Sequence, residues 1–286
     1  MSPAWLPWTG IVRLGLIQSA IGAITVFVLS TLNRAMVVEM ALPASLPAGL
    51  VAWHYAVQLS RPRWGHGADS GGNRKPLIIF GIGSMAVGCV LAANATIAMT
   101  GSFLLGFTLG LVAYAMIGAG IAASGTSVLT LLAIRVAPDR RPAAAAIAWI
   151  MMISGIVLTA AISGQLLDPF SPQRLAMVAS GVAGIAFLVA LLALKGDIAT
   201  AGSPAGPPQP AEDLSFSRAV QKIWREKATR DFTIFVFVSM LAYSAQELIL
   251  EPYAGLVFGL TLGKSTQLAA FQHGGVLIGM RSEGVV

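Results

Sequence analysis

The sequence predicts an all-α fold: a polytopic membrane helical bundle of about eight spans, six in an N-terminal half and the rest in an incomplete second half. Three observations predict it. Of the 286 residues, 56% are hydrophobic and only 10% charged, whereas soluble domains carry about 25% charged residues. So little polar surface cannot face water all round, and the lipid bilayer must cover much of the exterior. The apolar residues also gather in runs near the roughly 20 residues that cross a hydrocarbon core. The cations, finally, crowd into alternate segments between those runs.

The spans fall at 11–32, 44–60, 76–97, 104–134, 143–167, 174–194, 232–251 and 266–281. The first is expected to direct insertion itself, because the N-terminus lacks a basic n-region and a small-residue cleavage site. The second and eighth are short. The third holds the one cysteine, Cys89, which reads as a small buried hydrophobe with no disulfide or CxxC partner. The fourth is long enough to tilt or to include part of its loop. The fourth and fifth carry small residues, among them Gly118, Gly120, Ser124, Ser154, Gly155, Ser163 and Gly164, at spacings suited to close helix packing. After the sixth comes a linker, 195–230, which opens on the proline- and glycine-rich run 202–210 and cannot bury a core. Within it, 216–225 has the pattern of an amphipathic surface helix, with Phe216, Val220, Ile223 and Trp224 near one face. The chain thus divides into a six-helix bundle at 1–194, the linker, and the start of a second bundle at 231–286.

Orientation follows from the cations. One set of segments carries Arg61, Arg63, Arg74, Lys75, Arg135, Arg140, Arg141, Lys195 and the linker cations; the other carries only Arg34, Arg174 and Lys264, a ratio of thirteen to three. The positive-inside rule then places the N-terminus and the linker in the cytoplasm. The same rule explains the net charge of +6, so no nucleic-acid partner is expected. No phosphate loop, HExxH or G-x-S-x-G pattern is present, and no enzymatic activity or directly bound metal is expected.

The segment between the second and third spans reads Gly65-His66-Gly67-Ala68-Asp69-Ser70-Gly71-Gly72-Asn73-Arg74-Lys75. Glycines allow a tight turn, Asp69 can meet a helix N-terminus or an arginine, and Arg74 and Lys75 hold the loop to one side. The set Gly65, Asp69, Gly72, Arg74 and Lys75 resembles the loop signature of the major facilitator superfamily, departing from it at Gly67 and Ser70. Asp139-Arg140-Arg141 before Pro142 resembles the companion loop. Two six-span halves joined by a cytoplasmic linker is that superfamily's pattern, so the fold is expected to be major-facilitator-like.

Longer stretches carry a narrower resemblance. These are 32–39 (LNRAMVVE), 55–65 (YAVQLSRPRWG), 246–258 (QELILEPYAGLVF) and 273–280 (HGGVLIGM). They are similar to the PucC/LhaA family, the bacteriochlorophyll-delivery branch of the same superfamily. The resemblance implies an assembly factor for light-harvesting antenna complexes in a bacterial inner or intracytoplasmic photosynthetic membrane. Its implied partners are antenna polypeptides and bacteriochlorophyll, the latter a transient cofactor. Family members usually carry twelve spans, so any site between the two halves is expected to be incomplete here. A small-solute secondary transporter and a pigment-free membrane scaffold are the alternatives.

Four ionisable residues stand near span ends: Arg34 and Glu39 beyond the first, and Glu247 and Glu251 at the end of the seventh, before Pro252. Charges at membrane depth cost about 2.5–3.5 kcal/mol each on insertion scales and usually face a bundle interior. They are expected either to pair across the bundle, from Arg34 or Glu39 to Glu247 or Glu251, or to sit in the wet interface. Of the three histidines, His66 reads as solvated. His54 and His273 occupy equivalent spans of the two halves. As bare sequence each reads as a hydrogen-bonded bundle residue; the resemblance makes both candidate axial ligands for a chlorin magnesium, with Gly274, Gly275 and Gly279 offering a flat wall.

Overall fold

The computed structural model describes residues 5–61, 73–196 and 224–283. Eight long helices account for most of them: α1 (Trp8–Glu39), α2 (Ser45–Gln58), α3 (Lys75–Gly101), α4 (Phe103–Arg135), α5 (Arg141–Leu166), α6 (Pro172–Ala193), α7 (Lys227–Phe258) and α8 (Leu262–Glu283). No strand occurs among the described residues. The all-α membrane bundle expected from composition is what forms, and each apolar run is a helix.

Six of the helices, α1 and α3 to α7, are long and apolar enough to cross a membrane. The other two differ from the expectation of eight full spans. α2 has only 14 residues, about 21 Å of helix at 1.5 Å per residue, short of the roughly 30 Å hydrocarbon core. α8 is longer, but Lys264, Ser265, Thr266, Gln267, Gln272 and His273 dilute its apolar character.

Two boundaries also moved. α1 continues past 32 to Glu39, and α7 continues past 251 to Phe258, carrying Pro252 in its interior. All four ionisable candidates therefore lie inside helices rather than beyond their ends.

α1 is the axis of the bundle. Ile11, Leu14, Ile17, Ile24, Phe27, Val28 and Leu32 are completely buried, because α5 and α6 pack along it and α7 and α8 meet its second half. α3 pairs with α4 and α6, α2 lies on α4, and α8 lies on α5. Lipid tails are as apolar as leucine, so these contacts rest on close packing and on hydrogen bonds rather than on release of water. Small residues make that approach possible. A Cβ at Gly155 would fall on the Ser19 carbonyl of α1, and one at Gly120 on the Gly81 carbonyl of α3. Cys89 is the buried small hydrophobe expected of it, its Sγ 3.9 Å from the Ala179 carbonyl between α3 and α6.

The helix ends are tied down. At the end holding Trp8, the Arg13 guanidinium donates to the carbonyls of Ala193 and Lys195 and so caps the C-terminus of α6. Leu6 N donates to the Arg135 carbonyl at 2.9 Å, and Arg140 lies over the Trp8 ring at 5.5 Å. At the far end, Ser171 Oγ accepts from Arg174 N as the N-cap of α6. There α7 stops at Gly259, whose φ of +62° only glycine adopts freely. Of the linker, 197–223, including most of the proposed amphipathic helix, lies outside the described residues; Trp224 lies within them and is exposed.

Candidate functional site: a buried polar junction between α1 and α7–α8

Halfway along, α1 leaves the α form. Phe27–Thr31 and Ala35–Glu39 are π-helical, with one short α segment, Leu32–Arg34, between them. Every residue from 27 to 36 is buried. Such π-bulges disturb backbone pairing and recur at functional sites. Here they coincide with the level at which α7 and α8 arrive, and polar groups converge there from three helices.

Asn33 comes first. Proline has no N–H, so Pro252 cannot bond the carbonyl four residues back, which belongs to Leu248. The side chain of Asn33 donates to that carbonyl at 2.9 Å. An α1 amide thus satisfies the carbonyl that the α7 proline orphans, as backbone at membrane depth requires.

Arg34 is 1% exposed. Its Nη1 pairs with Glu39 Oε1, and its Nη2 donates to the Leu260 carbonyl in the α7–α8 turn at 2.6 Å. Gly255 makes room for it, since a Cβ there would stand 3.0 Å from Nη2. The carboxylate that Arg34 meets is on its own helix, which differs from the expected pairing with the seventh span. The π turn is the reason. In an α-helix residues five apart point about 140° away from each other; the wider i→i+5 turn, seen in the bond from Met40 N to the Ala35 carbonyl, brings them onto one face.

Glu251 is fully buried. Its Oε1 accepts from Ser30 Oγ of α1 at 2.5 Å and its Oε2 from Thr266 Oγ1 of α8 at 3.3 Å. One carboxylate thereby joins α1, α7 and α8. Glu247 stands one turn earlier on α7; its side chain lies outside the described residues.

A further group was not legible as a site residue. Asp168, in the α5–α6 loop, accepts from Thr261 Oγ1 at 2.6 Å and from Gly263 N at 3.2 Å, so it caps the start of α8 and favours the helix dipole there. Below it α5 and α8 touch through Gly164 and Gly263; a Cβ on Gly263 would land on the Gly164 carbonyl and the Asp168 carboxylate. The sequence signal for this was only the glycine and the loop aspartate, with nothing to connect them.

The two histidines sit among different neighbours. His54 is fully buried on α2. The Gln58 amide donates to its Nε2 at 2.7 Å, Tyr55 stands edge-on at 5.1 Å, and its backbone carbonyl is pressed on Gly118 of α4. His273 on α8 is 4% exposed, and its Nδ1 lies 3.4 Å from Tyr243 Oη of α7. Gly274, Gly275 and Gly279 beside it face open space. Of the loop signature, Gly65, Asp69 and Gly72 lie outside the described residues. Arg74 is buried at the start of α3, and Lys75 N donates to Asn73 Oδ1 at 2.9 Å. No cluster of three or more metal-binding side chains occurs among the described residues.

Comparison with known proteins gives the family of the chain. The family model described as PUCC protein matches residues 31–286, a stretch that contains the polar junction apart from Ser30. The chain is 46% identical to the Bacteriochlorophyll synthase 44.5 kDa chain of Rhodobacter capsulatus over 98% of its own length and 65% of that protein's. It is 28% identical to the Protein PucC of Cereibacter sphaeroides, over 96% of this chain and 62% of that one. The chain therefore spans somewhat less than two thirds of the relatives it matches. With a family match covering the last part of α1 and every later helix, the chain belongs to the PUCC protein family.

Proposed function

We propose that this chain acts in the assembly of light-harvesting antenna complexes in a bacterial photosynthetic membrane and handles bacteriochlorophyll in doing so. The observation that carries the reading is the family match over 31–286, together with relatives whose names are Protein PucC and Bacteriochlorophyll synthase 44.5 kDa chain. Against catalysis by this chain stands the absence of any enzyme signature in its sequence. The architecture is read as major-facilitator-like, with a six-helix unit (1–194), a cytoplasmic linker (195–230) and a second unit (231–286). The cationic end of the bundle, holding Arg135, Arg140, Arg141 and Lys195, is read as cytoplasmic.

Bacteriochlorophyll would bring a central magnesium that takes an axial ligand. His54 does not fit that role as it stands, because its ring is enclosed and its Nε2 is taken by Gln58. His273 fits better: its helix face beside Gly274 and Gly275 is open, although the ring would have to turn from Tyr243. We therefore rank His273 first as the pigment residue. The role of the polar junction is positional. Asn33, Arg34 and Glu251 fix α7 and α8 on α1 and so set where the His273 face stands.

A transporter reading is favoured by one observation, the buried Arg34 and Glu251 at membrane depth. Deletion in a phototrophic host separates the readings. Loss of the antenna absorption bands, restored by the full-length gene in trans, is expected. Normal antenna with altered uptake of a solute would favour transport.

A further inference from the structure

α5 and α6 both pack along α1 but barely on each other. Between them lies a cleft of about 800 Å³ whose floor is α1 at Ser19, Ala20 and Ala23. We propose that this cleft binds an anionic phospholipid, its acyl chain laid along α1 and its phosphate held by Arg174.

The dimensions choose a chain rather than a helix. The cleft runs along α5 from Ser154 to Leu166, about 18 Å at 1.5 Å per residue. One leaflet of hydrocarbon is about 15 Å deep, half the core thickness. A membrane-spanning helix would need twice that depth, and its diameter of about 10 Å or more would overfill the volume. The rim opens sideways to lipid, since Leu158, Ile162, Met177 and Ile185 on it are exposed. The volume falls within the roughly 300–1,000 Å³ of small-molecule sites.

The charge chooses an anion. At its far end the cleft is closed by Gln165 and Arg174. Arg174 gives one bond, from Nη1 to the Asp168 carbonyl at 2.7 Å, and pairs with no carboxylate among the described residues. The Asp168 carboxylate is turned the other way, onto Thr261 and Gly263. Arg174 also sits in the first turn of α6, where the helix dipole adds positive potential. Ser163 supplies a second polar contact. It is 1% exposed, it lines the cleft, and its hydroxyl bonds no protein group among the described residues. It stands two to three residues inside Gln165 and Leu166 on α5, less than one turn, where the ester oxygens of a lipid would lie.

The proposal is independent of the pigment reading. It is tested on the full chain in vesicles of phosphatidylglycerol and phosphatidylcholine, with a photoactivatable group on the acyl chain of each in turn. Labelling by phosphatidylglycerol is expected to concentrate on Ser163, Leu158 and Val182 and to exceed that by phosphatidylcholine about tenfold, or about 1.4 kcal/mol. Gly181→Leu should remove most of that labelling. Gly181 lines the cleft and has no atom within 4 Å of an added Cβ, so the side chain fills space without a clash. Arg174→Gln should keep the labelling but abolish the preference between headgroups. Equal labelling by both lipids in the unaltered chain, label scattered around the bundle, or a Gly181→Leu protein that folds and labels as before would overturn the proposal. So would displacement of phosphatidylglycerol from the cleft by bacteriochlorophyll, which would assign it to the pigment's tail.

Discussion

The bond from Asn33 to the Leu248 carbonyl gives the sharpest quantitative expectation. If Asn33 exists to satisfy a carbonyl that Pro252 orphans, removing the amide should hurt only while the proline is there. Asn33 is buried, and its 2.9 Å bond is of normal length. An unsatisfied buried acceptor costs about 1–3 kcal/mol, and interhelical hydrogen bonds in membranes have measured values of about 0.6 on average and 1.7 at most. Asn33→Leu should therefore destabilise the chain by about 1–2 kcal/mol, towards the upper membrane values because Pro252 removes the helix's own donor to that carbonyl. In a Pro252→Ala background the new N–H bonds Leu248 itself, and Asn33→Leu should cost less than about 0.5 kcal/mol. The coupling, about 1 kcal/mol, is read from a double-mutant cycle by reversible unfolding in mixed micelles, followed by the fluorescence of Trp8 or Trp149. The same cost in both backgrounds would refute the partnership.

Two further outcomes follow from the same junction. Arg34→Met strands Glu39 and the Leu260 carbonyl, and should cost about 3 kcal/mol, the low end for breaking a buried pair, because the Glu39 side chain is 23% exposed. Arg34→Met with Glu39→Met should recover much of that loss in the same unfolding assay; a double variant as unstable as the single one would mean that the pair itself was not the issue. Gly263→Ala drives a methyl group into the Gly164 carbonyl and the Asp168 carboxylate, and should cost about 1–3 kcal/mol by overpacking. Cross-linking between α5 and α8 cysteines should fall with it, and unchanged cross-linking would argue against the close approach.

Hydropathy placed every helix, since runs such as 76–97 and 174–194 are apolar enough to declare themselves. It failed at the ends of α1 and α7. The predicted spans end at or before the charged residues there, which are expected either to pair across the bundle or to sit in the wet interface; Arg34 and Glu251 are buried because carbonyls, hydroxyls and a local carboxylate receive them. Those partners are long-range contacts that a one-dimensional pattern does not contain. The π segments of α1 were hidden for a related reason. Phe27–Thr31 is an ordinary apolar stretch, and its winding reflects the helices packed around it rather than its own residues. Small residues in the fourth and fifth spans did announce tight packing, seen at Gly120 and Gly155. The same composition could not tell that α5 and α6 part company and leave a cleft. Asp168 shows the limit most plainly, because its partners Thr261 and Gly263 lie more than ninety residues away.

The most direct test of the central claim is an absorption spectrum of the full chain, purified in mild detergent from a host that makes bacteriochlorophyll. A near-infrared band in fixed proportion to protein is expected, reduced by His273→Ala and retained by His54→Ala. A well-folded, pigment-free protein would contradict pigment handling by this chain and leave a scaffold or a transporter as its role.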